Sequence, residues 1–166
     1  MTTGNPTADR LDVCEAVYLY ATGVDTRDWG LYRSAFCDDI QVDMSSFNGT
    51  APRSTTADAW VRGVVPIFTG LDASQHSMTN PRVTLDGDRA TCTVYMQADH
   101  VLERRGEPVF FTIGGYYIDT LERVGERWRI SSVTLTVLWR RGDASIMAEA
   151  TELGRRRLEA AHRPRT

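Results

Sequence analysis

The second half of the sequence alternates between apolar and polar residues with a period of two. Short turn sequences interrupt this alternation at 86–88, 105–108 and 124–126. The pattern predicts four strands, which lie around Val83 and Leu85 and over residues 90–102, 109–122 and 127–139. Strands of roughly thirteen residues are longer than usual, so an antiparallel sheet built from them must twist and curl. Gly114-Gly115 is the predicted position of a bulge.

The first half shows helical spacing instead, with apolar residues three or four positions apart. This spacing predicts helices over 9–28, 28–37 and 55–70, a short strand over 40–44 and, at the end of the chain, a helix over 144–161. Thr55 and Asp58 form the predicted N-terminal cap of the third helix, Pro66 should kink its last turn, and Gly70 should end it. Helices followed by a curled antiparallel sheet indicate an α+β fold with helices on the concave face.

Length and composition fit a globular domain. The chain has 166 residues, 42% of them hydrophobic, and a net charge of −3, which leaves room for a core. We expect a disordered leader over 1–8, a single domain over 9–161 and a tail over 162–166. A net charge of −3 does not provide the basic surface that nucleic-acid binding requires. No apolar run is long enough to span a membrane. Three widely spaced cysteines and no secretion signal predict a cytoplasmic location.

Asp25 is a carboxylate where the first helix should present an apolar side chain. The apolar face of that predicted helix is formed by Leu11, Cys14, Tyr18 and Ala21. The next helical step falls on Asp25. A carboxylate held away from water is unfavourable unless it is paired, hydrogen-bonded or protonated. His76 and His100, two of the three histidines, are the candidate partners.

The alternation in the strand over 90–102 assigns a face to His100. His100 falls on the apolar face with Cys92, Val94, Met96 and Ala98, whereas Asp99 falls on the opposite face. His100 is therefore expected in the interior and Asp99 outside, unless a bulge reverses the two. An interior histidine here could position a substrate or act as a second acid.

Four segments together resemble the SnoaL-like branch of the nuclear transport factor 2-like superfamily, over residues 11–143. They are Tyr-Ala-Thr-Gly-Val-Asp-Thr-Arg-Asp-Trp (20–29), Gln-His-Ser-Met-Thr-Asn (75–80), Gly-Gly-Tyr-Tyr-Ile-Asp-Thr-Leu-Glu-Arg (114–123) and Arg-Trp-Arg-Ile (127–130). The resemblance implies an α+β barrel with a cone-shaped cavity between sheet and helices, and a homodimer. It does not imply one reaction, because this superfamily includes dehydratases, isomerases, epoxide hydrolases, polyketide cyclases and non-catalytic binding proteins.

The resemblance also implies a set of site residues. Asp25 and His76 match an aspartate–histidine dyad of dehydratase and dehydrochlorinase members, and His100 matches the second histidine of a dehydratase. The dehydratase pattern points to Tyr20 as a catalytic tyrosine, whereas helical spacing favours Tyr18, two turns before Asp25. The remaining aromatic candidates are expected in the cavity wall or the core: Trp60, Phe68, Tyr117 and Trp139.

An arginine for anion binding is harder to assign. Val133 stands where family members often carry a basic residue, which leaves Arg140 and Arg141 as substitutes. No metal is expected, because no local spacing of ligands supports one. No cofactor is expected either, since the sequence has neither a glycine-rich phosphate loop nor a nucleophile elbow.

These residues predict a cofactor-independent lyase or isomerase acting on a small hydrophobic molecule such as a polyketide, steroid or terpenoid. His76 would act as general base and Asp25 would orient it, with His100 and Tyr20 positioning the substrate or protonating a leaving oxygen. A polyketide cyclase could use the same dyad for an intramolecular aldol reaction. A non-catalytic binding protein and a structural module are the remaining alternatives.

Overall fold

A computed structural model describes residues 5–162 of the chain. The helices are α1 (Pro6–Thr26), α2 (Trp29–Ser34), α3 (Ser45–Asn48), α4 (Ala57–Gly70) and α5 (Ser145–Ala161). The strands are β1 (Phe36–Asp43), β2 (Arg53–Thr56), β3 (Ala73–Asp86), β4 (Arg89–Arg104), β5 (Glu107–Val124) and β6 (Arg127–Gly142). The α+β class is therefore confirmed. No helix within residues 5–162 is long and apolar enough to cross a membrane.

The six strands form one sheet in the order β2-β1-β6-β5-β4-β3. Strands β3 to β6 form the predicted antiparallel meander. The sheet as a whole is mixed and not antiparallel throughout, because β1, outside the predicted meander, pairs with β6 in parallel. Alternation assigns the faces of a strand but not the direction of its partner. The sheet is also open, with β2 and β3 at its edges, so it is not a closed barrel.

Local turn chemistry explains the meander. The β4–β5 hairpin turns through Arg105 and Gly106, which both have positive φ angles of 56° and 85°, as two-residue hairpin turns of type I′ require. The predicted bulge is confirmed, because the register between β5 and β6 shifts between Gly114 and Gly115. A Cβ atom on Gly114 would lie 2.0 Å from the Trp139 ring, so only glycine fits beneath this indole.

The first helix differs from its prediction in both its start and its buried face. It begins at Pro6, inside the predicted leader, where the amide of Thr7 donates a 3.0 Å hydrogen bond to Asn5 Oδ1. Residues 1–4 of the leader and 163–166 of the tail lie outside the described residues. The buried face is formed by Val13, Ala16, Val17, Tyr20, Ala21 and Val24. Leu11 is 66% exposed and Tyr18 37%, because apolar residues occur on two faces of α1 and spacing alone chose the wrong one.

Four further elements differ from the sequence predictions. The cap of α4 is Thr56, which accepts a hydrogen bond from the Ala59 amide, and not Thr55. The helix ends at Gly70, as predicted. Both α3 and β2 have only four residues, too few for a periodic signal. Strand β3 begins at Ala73, well before Val83. Its burial alternates, but the first inward-facing residues, Ser74 and His76, are polar, so the sequence shows no apolar–polar alternation there.

Candidate active site

The carboxylate of Asp25 lies at the end of α1 and accepts three hydrogen bonds from β3. Ser74 Oγ donates to Oδ1 at 2.9 Å, and the His76 amide donates to Oδ2 at 2.5 Å. His76 Nδ1 lies 2.8 Å from Oδ1. Ser74 and His76 are two residues apart on a strand, so their side chains share one face. The side chains of His76 and Asp25 are only 5% and 18% exposed.

These bonds determine the charge of Asp25 and the tautomer of His76. Burial raises the pKa of Asp25, but the hydrogen bonds and positive charge of His76, with the Ser74 hydroxyl, lower it below its ordinary value overall. An ionised carboxylate can only accept hydrogen bonds, so Nδ1 of a neutral His76 carries the proton. Its Nε2 then has a free lone pair and can act as a base.

His100 lies beside His76 with its Nδ1 turned towards the protein. Nδ1 is 3.0 Å from the Phe111 carbonyl, which can only accept, so the proton is on Nδ1. Burial, followed by the nearby His76, lowers the pKa of His100 to about 4. His100 is therefore neutral at pH 7 and its Nε2 is an acceptor. Of the two roles expected from the sequence, this favours positioning a substrate over protonating it.

Three buried tyrosines contribute hydroxyl groups. The hydroxyls of Tyr20 and Tyr117 are 3.3 Å apart, and the Tyr32 hydroxyl accepts a 2.9 Å hydrogen bond from Trp60 Nε1. Burial raises the pKa of Tyr20 to about 12 and raises the pKa values of Tyr32 and Tyr117 well above the ordinary value. All three hydroxyls therefore keep their protons at neutral pH and can donate hydrogen bonds.

A cavity of about 220 Å³ lies between the helices and the sheet and brings these groups together. Its polar lining includes His76, His100, Tyr20, Tyr32 and Tyr117, and its apolar lining includes Trp60, Ile67, Phe68, Ile113 and Leu135. The ring centroid of Phe68 lies 5.9 Å from those of both histidines. The two histidine rings are 6.0 Å apart, so one bound molecule could contact both.

The chain that forms this site matches a known family of domains. The SnoaL-like domain family matches residues 5–134, which is most of the chain. The chain belongs to the SnoaL-like domain family. An uncharacterized protein of Mycobacterium tuberculosis is 26% identical over 123 residues, which cover 74% of this chain and 81% of that relative.

Solved structures share the fold of this SnoaL-like domain. A Kribbella flavida protein has a TM-score of 0.78 and 26% identity, with 91% of this chain and 99% of that chain covered. The hexachlorocyclohexane dehydrochlorinase LinA-type3 of Novosphingobium barchaimii has a TM-score of 0.68 and 20% identity, with 84% and 92% covered. At this identity the second likeness concerns the fold alone.

Two predicted residues of this SnoaL-like domain lie away from the cavity. Tyr18 is on the exposed side of α1, so the structure favours Tyr20 of the two tyrosines. Trp139 is 45% exposed and covers Gly114, beside Asp99 and Thr112 on the outer face of the sheet. Trp139 was expected in the cavity wall or the core. Straight alternation along β6 would place it on the inner face with Val133 and Leu135, but the register shift opposite Gly114 and Gly115 turns it outwards.

Arg140 and Arg141 are not placed to bind an anion in the cavity. Arg140 Nη2 donates 2.7 Å hydrogen bonds to the carbonyls of Ser46 and Phe47 and so anchors α3. Arg141 lies by Trp139 on the outer face. The arginine that lines the cavity is Arg53, which sequence reasoning missed because β2 was not predicted.

Sequence reasoning also missed Arg27, Ser74 and Tyr32. Arg27 and Ser74 connect to Asp25 through hydrogen bonds, and Tyr32 lines the cavity. Extending β3 back to Ala73 would have placed Ser74 on the face of His76, but that strand start has no alternation signal. Among residues 5–162, no group of three or more histidine, cysteine, aspartate or glutamate side chains is arranged to hold a metal ion.

Proposed function

We propose that this SnoaL-like domain is a cofactor-independent lyase or isomerase in which His76 Nε2 removes a proton from a small, largely apolar substrate. One observation carries the proposal: Asp25 binds His76 through Nδ1, which leaves Nε2 as the free nitrogen of a residue that lines the cavity. Asp25 would orient the ring and stabilise the imidazolium formed when the proton is taken. General acid–base catalysis of this kind contributes about 10²–10⁴-fold in rate.

The polar groups of the cavity suggest how a substrate is oriented. His100 presents an acceptor nitrogen, and His76 in its role as base would present another, whereas Tyr20, Tyr32 and Tyr117 carry hydroxyl protons. A β-hydroxy carbonyl compound suits this arrangement, with its hydroxyl towards the histidines and its carbonyl towards the tyrosines. Tyrosine hydroxyls would stabilise the negative charge that develops on the carbonyl oxygen when the α-proton leaves.

A dehydration in this arrangement conserves its protons. His76 takes the α-proton, the C–O bond breaks, and a C=C bond forms. The imidazolium then returns the proton to the departing hydroxyl, which leaves as water and restores the neutral histidine. Returning the proton to a different carbon atom would instead give an isomerisation. His100 would hold the hydroxyl by accepting its hydrogen bond before the C–O bond breaks.

The size of the cavity narrows the substrate class. About 220 Å³ lies below the roughly 300–1,000 Å³ of most small-molecule pockets. We therefore favour compact substrates of one or two rings over a four-ring steroid. An elimination is compatible with this fold, because a dehydrochlorinase that shares it is an eliminating enzyme by name.

The test is a turnover assay with one- and two-ring β-hydroxy carbonyl compounds, followed by the absorbance of the conjugated product. For a compound that is turned over, His76→Ala and Asp25→Asn should each lower turnover by at least about a hundredfold while the circular dichroism spectrum is unchanged. His162→Ala is the matched control, because His162 is exposed after α5, and should retain full activity.

Two results would contradict the proposal. Equal turnover in wild type and His76→Ala would remove His76 from the mechanism. Tight binding of the compounds, with no product from any of them and no dependence on His76, would favour a non-catalytic binding protein.

A further inference from the structure

We propose that Arg27 is a positioning residue for the Asp25–His76 pair, because its guanidinium orients the Ser74 hydroxyl that holds Asp25. The inference rests on the proposed function for its catalytic meaning, while its geometry stands independently. Arg27 follows directly after α1, is half-buried, and is not among the residues that line the cavity. It would therefore act through its neighbours and not on a substrate.

Within residues 5–162, the guanidinium of Arg27 hydrogen-bonds only to uncharged oxygens. Nε donates to the Phe68 carbonyl at 3.0 Å, and Nη2 donates to the Leu71 carbonyl at 3.4 Å. Nη1 donates to Ser74 Oγ at 3.0 Å and also to the Asp25 carbonyl. Among the ion pairs formed within residues 5–162, none includes Arg27. Its fixed fork of donors thus joins three segments of chain at one point.

The contact with Ser74 sets the direction of a hydroxyl that would otherwise rotate. A serine hydroxyl has one proton to donate and can accept through its lone pairs. Because Arg27 occupies a lone pair of Oγ, the proton is available for Asp25 Oδ1 at 2.9 Å. Oδ1 is the same oxygen that binds His76 Nδ1. Arg27 is therefore connected to the histidine through three hydrogen bonds in series.

Arg27 also holds the wall beside the histidines. The carbonyls of Phe68 and Leu71 lie at the C-terminal end of α4, where unsatisfied carbonyls favour a cation. The Phe68 ring packs at 5.9 Å from both histidine rings. The same side chain thus fixes the position of α4 and the position of Asp25 relative to β3.

The backbone of Arg27 supports a dedicated role for its side chain. Its φ angle is 58°, in the left-handed region that usually favours glycine after a helix. An arginine is less favourable than glycine in this conformation. The hydrogen bonds of the guanidinium offset that disadvantage and explain why this residue type can stand here.

The experiment measures exchange of the His76 Nδ1 proton with water by ¹⁵N NMR on the full chain at pH 7, without any substrate. The chain has only three histidines, so their imidazole signals can be assigned by substitution. Arg27→Gln should speed this exchange by at least about tenfold, because the Ser74 hydroxyl that holds Asp25 is no longer oriented. Arg27→Lys retains the charge but not the fork, and should give an intermediate rate.

Arg157→Gln is the matched control. Arg157 Nη1 also donates to carbonyls at the end of α4, those of Thr69 and Gly70, at 2.9 and 3.2 Å. It has no hydrogen bond to Ser74 or Asp25, so its loss should leave the exchange rate unchanged. The Nδ1 proton of His100, bound to the Phe111 carbonyl, serves as a reference in the same sample.

An Arg27→Gln variant that folds and shows the wild-type rate at His76 would overturn the inference. If that variant does not fold, Ser74→Ala decides, because it removes the bridging hydroxyl and leaves the helix ends intact. Faster exchange in Ser74→Ala supports the inference, and an unchanged rate contradicts it. Once a substrate is known, Arg27→Lys should lower kcat with little change in KM. Faster exchange together with undiminished turnover in His76→Ala would refute the proposed function alone.

Discussion

Asp25 and Asp119 are two carboxylates held largely away from water, but their surroundings shift their pKa values in opposite directions. Asp25 accepts three hydrogen bonds, and its pKa is lowered. Asp119, on β5, is 3% exposed, and its Oδ1 is buried without a hydrogen-bond partner among residues 5–162. Burial alone raises its pKa well above the ordinary value. Burial therefore favours the neutral form of Asp119, whereas hydrogen-bond donors favour the anionic form of Asp25.

The surroundings of the two residues explain the difference. Asp119 is paired in register with Cys92 on β4 and Val133 on β6, whose side chains offer it no strong donor. Asp25 faces the start of β3, where Ser74 and the amide and ring of His76 converge. A buried acid without partners reduces stability, whereas the same acid with three donors can organise a site.

The largest expected effect comes from removing the bonded carboxylate. Asp25→Ala should lower the free energy of unfolding by about 2–4 kcal/mol at pH 7, because the buried donors of His76 and Ser74 lose their acceptor. The pKa of Asp25 is lowered on folding, so its contribution is present above the unfolded pKa and is lost as pH falls through the folded one. Urea unfolding at several pH values should show that the stability difference between wild type and variant shrinks in acid. A difference independent of pH would contradict an ionised, hydrogen-bonded Asp25.

Removing the unpartnered carboxylate should have a smaller effect of opposite sign. Asp119→Asn should raise the free energy of unfolding by about 1–3 kcal/mol at pH 7, because burial without a donor disfavours the ionised carboxylate in the fold. A raised folded pKa gives full stability below the unfolded pKa and less as pH rises, so the gain in the variant should grow from pH 4 to pH 7. The exposed Asp39→Asn is the control and should show no such trend.

The smallest effect tests the two tyrosines of α1. Tyr20→Phe removes the hydroxyl contact with Tyr117 and should lower the free energy of unfolding by about 1 kcal/mol. Tyr18→Phe should change it by less than about 0.5 kcal/mol, since Tyr18 is largely at the surface. Thermal or urea unfolding of both variants measures the difference. A larger loss for Tyr18→Phe would mean that the buried face of α1 is the one first inferred from spacing.

Much of the site could be anticipated from the sequence, but not always for the right reason. The resemblance of four segments to the SnoaL-like branch predicted that Asp25 and His76 form a pair. In the structure these two side chains are in contact. The argument from the helical face was wrong about burial, because Leu11 and Tyr18 of that row are exposed. Only the end of the row, at Ala21 and Asp25, faces the protein. A helix with apolar residues on two sides does not reveal which side is buried.

The sequence by itself determined the features that depend on neighbouring residues. The long strands of the meander, their turns and the bulge at Gly114-Gly115 follow from alternation and from glycine, both of which act within a few residues. The inward face of His100 follows from the same alternation. These features are local because side-chain direction in a strand repeats every two residues.

Only the tertiary structure decided which distant groups meet. Two of these meetings join segments far apart in the chain: the parallel pairing of β1 with β6, and the link from Arg27 through Ser74 to Asp25. Conversely, no donor among residues 5–162 reaches Asp119 Oδ1. Hydrogen bonds act over about 3 Å, and residue order does not record which donors come that close. The charge of each buried acid, and with it the chemistry proposed for this protein, is therefore set by packing.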